Sequence, residues 1–164
     1  MTDENGQPPW AAARCVILGC GNPLLGDDGF GPAVARHIDT HLGMPAGVVV
    51  VNAGTAVRKI LLDFLLGDRP ERVVIVDAID RSRPPGEVFE VPLDELSHLR
   101  SDDFSTHLGP VSNLLFDLRD GCGIDVRILA CQVAGTTDVI GEPMSERVRA
   151  AVPLAAAAAL RLVA

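Results

Sequence analysis

Residues 14–31, RCVILGCGNPLLGDDGFG, combine an apolar strand pattern, a glycine-rich turn and the start of a helical pattern. The segment RCVILGC is short and almost continuously apolar, as is typical of a strand buried on both faces of a parallel sheet. Gly19 and Gly21 have the spacing of a phosphate-binding loop, but Asp27 and Asp28 occupy the place of the phosphate. The stretch therefore predicts an α/β fold whose first turn carries carboxylates.

Four further segments are predicted to be strands. Three of them are short and apolar, and the fourth alternates apolar with polar residues and ends in proline, which favours an edge strand. In chain order they are Val48–Asn52, Val73–Ile79, the edge strand Gly86–Pro92, and Val126–Val133.

Helical patterns fill the intervals between these strands. Apolar residues recur at helical spacing after residue 30 and again after residue 57. Thr55 is predicted to cap the second of these helices. Two more helices are expected at Gly109–Arg119 and Ser145–Val163, and Pro153 should kink or restart the last one.

Strands that alternate with helices imply right-handed crossovers and hence a three-layer α/β sandwich. We expect a twisted, mostly parallel five-stranded sheet in the order 2-1-3-5-4, with strand 4 antiparallel and helices on both faces. A chain of 164 residues is long enough for one core but short for two. We therefore predict a flexible tail at residues 1–12 and a single domain at residues 13–164.

Composition limits the partners and the compartment. A formal charge of −8 argues against nucleic acid, because phosphate binding needs a basic face. The four cysteines form no CxxC pair, which favours a reducing, cytoplasmic location. No membrane span is expected, since Pro153 and Arg161 interrupt the short apolar C-terminal stretch.

Two acids are predicted to meet where the winding of the sheet reverses, which is where open α/β sheets bind ligands. Asp28 follows strand 1, and Asp77 lies near the carboxyl end of strand 3. A pair of carboxylates would repel a pyrophosphate, and Leu24 replaces the third glycine of the dinucleotide motif. The crevice suits a divalent cation better, and a histidine would complete the ligand set.

Four histidines are available for this role. His37 and His41 lie one turn apart on a helix expected outside the sheet, and His98 lies in a polar stretch. His107, in the loop SDDFSTHLGP, follows the strand that contains Asp77 and precedes a helix. From position alone, His107 is either a crevice residue or an ordinary loop histidine.

The motifs resemble those of the hydrogenase maturation endopeptidases, which trim the C-terminus of the large subunit of nickel–iron hydrogenases. The opening signature is VILGCGNPLLGDDGFGPAVA. The remaining motifs follow in the family's order, as NAGTAVRKILLDFL, VVIVDAIDRSRPPGEVFEV, STHLGPVSNLL and GEPMSERVRAAV. Together they cover nearly the whole chain from residue 14.

The resemblance implies an endopeptidase that removes a C-terminal extension from the hydrogenase large-subunit precursor after nickel insertion. It also implies that Asp28, Asp77 and His107 are both the catalytic and the metal-binding residues. Relatives often have glutamate at the first of these positions, so Asp28 has a shorter reach. The nickel-loaded precursor is the expected partner and brings the nickel, while the protein alone should bind divalent metal only weakly.

Other interpretations of the sequence remain. The alternative function is a non-proteolytic nickel-binding or chaperone module for hydrogenase assembly, and a nucleotide-binding α/β protein is less favoured. The chain contains neither an HExxH nor a GxSxG motif, so the attacking nucleophile is not defined. Cys20 is expected to be a core residue and Asp27 a cap or supporting group. Asn22 either orients Asp28 or satisfies the turn.

Overall fold

The computed structural model describes residues 7–67, 69–98, 111–135 and 138–164. They form a five-stranded sheet in the order β2-β1-β3-β5-β4, which confirms the predicted order. All neighbouring strands are parallel except β4 and β5, which are antiparallel as predicted. The strands are β1 (Cys15–Cys20), β2 (Val48–Gly54), β3 (Arg72–Ile79), β4 (Val88–Glu90) and β5 (Asp125–Gln132).

Helices cover both faces of the sheet, so the predicted three-layer sandwich is confirmed. They are α1 (Phe30–His41), α2 (Val57–Leu66), α3 (Ser112–Phe116) and α4 (Glu146–Leu162). A π-helical turn at Asp117–Gly121 extends α3, and 3-10 turns occupy Gly26–Gly29 and Leu93–His98. None of the described helices is long and apolar enough to cross a membrane.

One helix prediction differs from the structure, and the structure narrows a second. The predicted cap Thr55 lies outside α2, because the helix begins at Val57 with Ala56 in the N-cap position and no side-chain cap. The capping prediction is wrong because β2 continues to Gly54, which delays the start of the helix. α4 continues without a break through Pro153, so that helix does not restart there.

The alternation of side chains along β1 divides the core into two clusters. Val16 and Leu18 face a cluster that includes Phe64 of α2 and Leu115 of α3. Ile17, one residue out of phase with them, faces the cluster formed with α1 and α4. The sheet is therefore buried on both sides, which explains why its central strands are largely apolar.

Helix α1 packs unusually close to the sheet because glycine occupies its first turn. A Cβ atom at Gly31 would lie 2.2 Å from the Cys20 carbonyl oxygen and 2.3 Å from that of Val76. On the strand side, a Cβ at Gly19 would lie 2.3 Å from the Gly31 carbonyl oxygen. Because both glycines lack a Cβ atom, the start of α1 and the turn before it can pack closely against the carboxyl ends of β1 and β3.

The segment before β1 is described only from residue 7 onward, and residues 1–6 of the predicted tail lie outside the described residues. Trp10 is buried and its ring meets that of Phe64 edge-on, with centroids 5.9 Å apart. Trp10 therefore packs the segment before β1 against α2 through this aromatic contact.

Candidate active site

The turn between β1 and α1 fixes the direction of Asp28. The side-chain oxygen of Asn22 accepts a hydrogen bond from the backbone N–H of Leu24 at 3.0 Å, which closes a local turn. The backbone N–H of Asn22 donates to Oδ2 of Asp28 at 2.8 Å. The Asn22 side chain therefore satisfies the turn, and its backbone orients the half-buried Asp28 carboxylate.

Asp77 lies near the carboxyl end of β3 and is fully buried. Its Oδ1 accepts a hydrogen bond from the backbone N–H of Ala78 at 2.8 Å. The 3-10 turn that contains Asp28 packs against β3. The fold therefore brings the turn carrying Asp28 to the strand carrying Asp77, at the edge where winding reverses between β1 and β3.

The third residue of the predicted set, His107, lies outside the described residues. Within the four described ranges, no three His, Cys, Asp or Glu side chains are arranged to hold a metal ion. Asp28 and Asp77 supply two carboxylates to the shared edge. The assignment of Asp28, Asp77 and His107 as a joint catalytic and metal-binding set stays a prediction.

The adjacent acid, Asp27, has a different environment from Asp28. Asp27 is buried, and its carboxylate accepts hydrogen bonds from the backbone N–H groups of Ala134 and Ser145, at 2.8 and 2.7 Å. The Ser145 hydroxyl donates a third hydrogen bond, at 3.1 Å. Through these three hydrogen bonds, Asp27 joins the first turn to the start of α4.

Cys20 is a core residue at the end of β1. Its side chain is fully buried, and its Sγ lies 3.7 Å from the Leu18 carbonyl oxygen, to which the thiol donates. Burial, reinforced by the negative charge of Asp77, raises the pKa of the Cys20 thiol well above its usual value. A thiol that keeps its proton is a poor nucleophile at neutral pH.

The paired histidines of α1 lie at the end of that helix. The rings of His37 and His41 stack with centroids 4.6 Å apart. The Thr40 hydroxyl lies 2.6 Å from Nδ1 of His41. His41 is exposed and His37 half-buried, as expected for a pair of histidines on a helix that packs outside the sheet.

Gln132 supports the loop after β3, a role that the sequence did not reveal. Its buried side-chain oxygen accepts hydrogen bonds from the backbone N–H groups of Arg81 and Arg83, at 2.8 and 3.2 Å. Its amide nitrogen donates to Asp80 at 2.9 Å. The backbone N–H of Ser82 and the Gln132 amide, by bonding to Asp80, lower the pKa of that carboxyl group. Glutamine at the end of an apolar strand carries no motif, so only the fold identifies this role.

Comparison with known proteins places this chain in one family. The family described as hydrogenase maturation protease matches residues 32–162. The hydrogenase 3 maturation protease of Escherichia coli strain K12 is 31% identical over 140 residues, which cover 84% of this chain and 83% of that relative.

Solved structures agree with the sequence comparison. The solution structure of the endopeptidase HycI from Escherichia coli has a TM-score of 0.73 and 27% identity, and the match covers 92% of this chain and 91% of that one. The crystal structure of the nickel–iron hydrogenase maturation protease HycI from Thermococcus kodakarensis has a TM-score of 0.69 and 28% identity, with 92% of each chain covered.

The fold and these relatives define a peptide hydrolase built on a three-layer α/β sandwich. The chain belongs to the hydrogenase maturation protease family. This confirms the resemblance seen in its sequence motifs.

Proposed function

We propose that this protein removes a C-terminal extension from the large-subunit precursor of a nickel–iron hydrogenase after nickel has been inserted. Membership of the hydrogenase maturation protease family supports the reaction. One observation supports the proposed site: Asp28 and Asp77 lie at the same edge of the sheet, on a turn and a strand that pack together. Rigid elements of this kind suit a site that must recognise a metal geometry.

In this proposal the nickel is part of the substrate, and the acids recognise it. Asp28 is half-buried whereas Asp77 is fully buried, so an incoming ion meets Asp28 first. Each carboxylate offers an anionic oxygen ligand, and His107 is proposed to add a neutral imidazole nitrogen. Nickel held in this way fixes the position of the scissile peptide, and a bound divalent ion can polarise its carbonyl group.

The protein alone is proposed to bind divalent metal weakly. Two carboxylates and one imidazole are fewer ligands than a closed structural metal cage provides. The positions that remain are taken by the precursor's own ligands, which stay attached to the nickel. Selectivity for the loaded precursor then follows, because neither partner holds the metal fully without the other.

We also propose a cytoplasmic location. All four cysteines are free, and three of them are buried: Cys15, Cys20 and Cys131. Free thiols are typical of proteins that work in a reducing compartment.

The reaction is tested by intact-mass spectrometry of the nickel-loaded precursor, before and after incubation with the protein. We expect the precursor to lose a mass that corresponds to a C-terminal fragment, and the fragment itself to appear. A stable complex in which the precursor keeps its full mass would contradict the proposal. That result would favour the non-proteolytic nickel-binding or chaperone module.

A further inference from the structure

Exposed apolar side chains are concentrated at one place beside the first turn. Within the described residues, five large hydrophobic side chains are exposed: Leu24, Leu66, Val139, Ile140 and Leu154. Leu24 lies in the turn after β1, and Val139 and Ile140 lie between β5 and α4. These three residues are called the apolar surface below.

Backbone contacts join the two segments that form the apolar surface. The N–H of Gly141 donates to the Leu24 carbonyl oxygen at 2.8 Å. The next residues along, Leu25 and Glu142, form an isolated parallel bridge. Leu24 is therefore held beside the residue that follows Ile140, and Leu24 lies only four positions before Asp28 in the same turn.

An acidic cavity adjoins the apolar surface. It has a volume of about 190 Å³ and lies between the first turn and the segment that leads into α4. Asp27 and Glu142 both contribute to its lining. Asp138 and Glu142 are exposed and flank the Val139–Ile140 pair in the chain. A ligand that covers this region must therefore match apolar side chains and negative charge together.

These features favour a peptide over a second copy of the protein. In a symmetric dimer the same patch meets itself, so the acids would face their own counterparts. With a net charge of −8 the chain also repels its own copies. A segment that carries a basic side chain next to apolar ones would complement both the cavity and the apolar surface.

We propose that the apolar surface and the adjoining acidic cavity dock an extended segment of the hydrogenase precursor, with a basic side chain in the cavity. This inference rests on the proposed function, because the precursor is the peptide that must lie beside Asp28. The docked segment is held by groups outside the acid pair. Loss of these docking contacts should therefore weaken substrate binding more than it slows the chemical step.

The test uses Val139→Ser with Ile140→Ser in one protein, which leaves the turn before Asp28 intact, and Leu66→Ser as its matched control. Leu66 is 87% exposed and lies at the end of α2, so its substitution removes a similar side chain outside the apolar surface. With nickel-loaded precursor, the double variant should raise KM about tenfold and leave kcat nearly unchanged, whereas the control should match the wild type. Tenfold corresponds to about 1.4 kcal/mol of lost binding.

A second readout measures binding without cleavage, by titrating immobilised metal-free precursor with each protein. The double variant should bind about tenfold more weakly than the wild type, and Glu142→Gln should bind more weakly with a smaller dependence on salt. Equal KM values and equal affinities for the wild type and the double variant would overturn the docking proposal.

The outcomes separate this inference from the proposed function. If the wild type trims the precursor and the double variant keeps the same KM, only the docking surface is wrong. If the wild type leaves the precursor intact, the function is wrong, and the binding titration alone decides the docking surface. Self-association of the wild type that the double variant abolishes in sedimentation runs would overturn the proposal in favour of a second copy.

Discussion

The Asp27 carboxylate accepts a hydrogen bond from the backbone N–H of Ser145 at 2.7 Å, although 118 residues separate them in the chain. The same side chain also accepts from Ala134, beyond the end of β5. One buried acid therefore fixes the distance between the turn that carries Asp28 and the segment that leads into α4.

Asp27→Asn should destabilise the protein. The amide has one acceptor oxygen in place of two, and its nitrogen would face a backbone donor, so at least one buried N–H group loses its partner. We expect the free energy of unfolding in urea to fall by about 1–3 kcal/mol. Asp63→Asn, which removes an exposed acid paired with Lys59, should change it little. An Asp27→Asn protein as stable as the wild type would show that the hydrogen bonds to Asp27 contribute little to the free energy of unfolding.

Gly31→Ala should destabilise the protein strongly, although it adds only one methyl group. The new methyl group would overlap the carbonyl oxygens of Cys20 and Val76, at 2.2 and 2.3 Å, and both belong to strands that have little room to move. Overpacking of this kind costs about 1–3 kcal/mol or more. At Gly43 a Cβ would meet no atom within 4 Å, so Gly43→Ala is the matched control. Equal urea midpoints for the two variants would contradict the close approach of α1 to the sheet.

Stability should decline in alkaline solution because two buried thiols hold their protons. Burial, and then the charge of Asp27, raises the pKa of Cys131 to about 12, and burial with Asp77 raises that of Cys20. In the unfolded chain thiols lose their protons near pH 8.5, so the folded state binds more protons above that pH. The folded state is then penalised progressively from about pH 8.5 towards pH 12.

This decline is measurable because the chain has no tyrosine, and its one lysine, Lys59, is exposed. Urea unfolding under reducing conditions should show the free energy falling between pH 8.5 and 10.5, by up to about 1.4 kcal/mol per pH unit for each thiol. Cys131→Ala should have a shallower slope than the wild type. A free energy that stays constant over this range would contradict the protonated, buried state of both thiols.

Cys20→Ser should process the precursor nearly as well as the wild type. The thiol is buried and protonated, so it is not positioned to attack a peptide. Placing a hydroxyl in this apolar position should still lower stability by about 1–3 kcal/mol. Trimming rates are to be compared at a temperature where circular dichroism shows the variant folded. Complete loss of cleavage in the folded variant would make Cys20 the leading candidate for the nucleophile.

The central strands were predictable because they are buried on both faces and are therefore largely apolar, and their alternation with helices indicated a mostly parallel sheet. The same topology predicted that Asp28 and Asp77 would share one edge. The start of α2 was not predictable from Thr55, because a capping residue acts only where the preceding strand stops, and β2 continues to Gly54. The partners of Asp27 could not be found either, since Ala134 and Ser145 offer backbone N–H groups that every sequence contains.

We propose that the edge of the sheet shared by Asp28 and Asp77 recognises nickel in the precursor. The most direct measurement compares initial trimming rates on nickel-loaded and metal-free precursor, for the wild type and for Asp28→Asn, Asp77→Asn and His107→Ala, with Asp63→Asn as control. We predict that the wild type and the control trim only the nickel-loaded form. The three site variants should fold but lose at least about tenfold in trimming rate. Each substitution removes either a proposed nickel ligand or the negative charge of one. Equal trimming of both precursor forms by the wild type, or full activity in Asp77→Asn, would contradict nickel recognition at this edge.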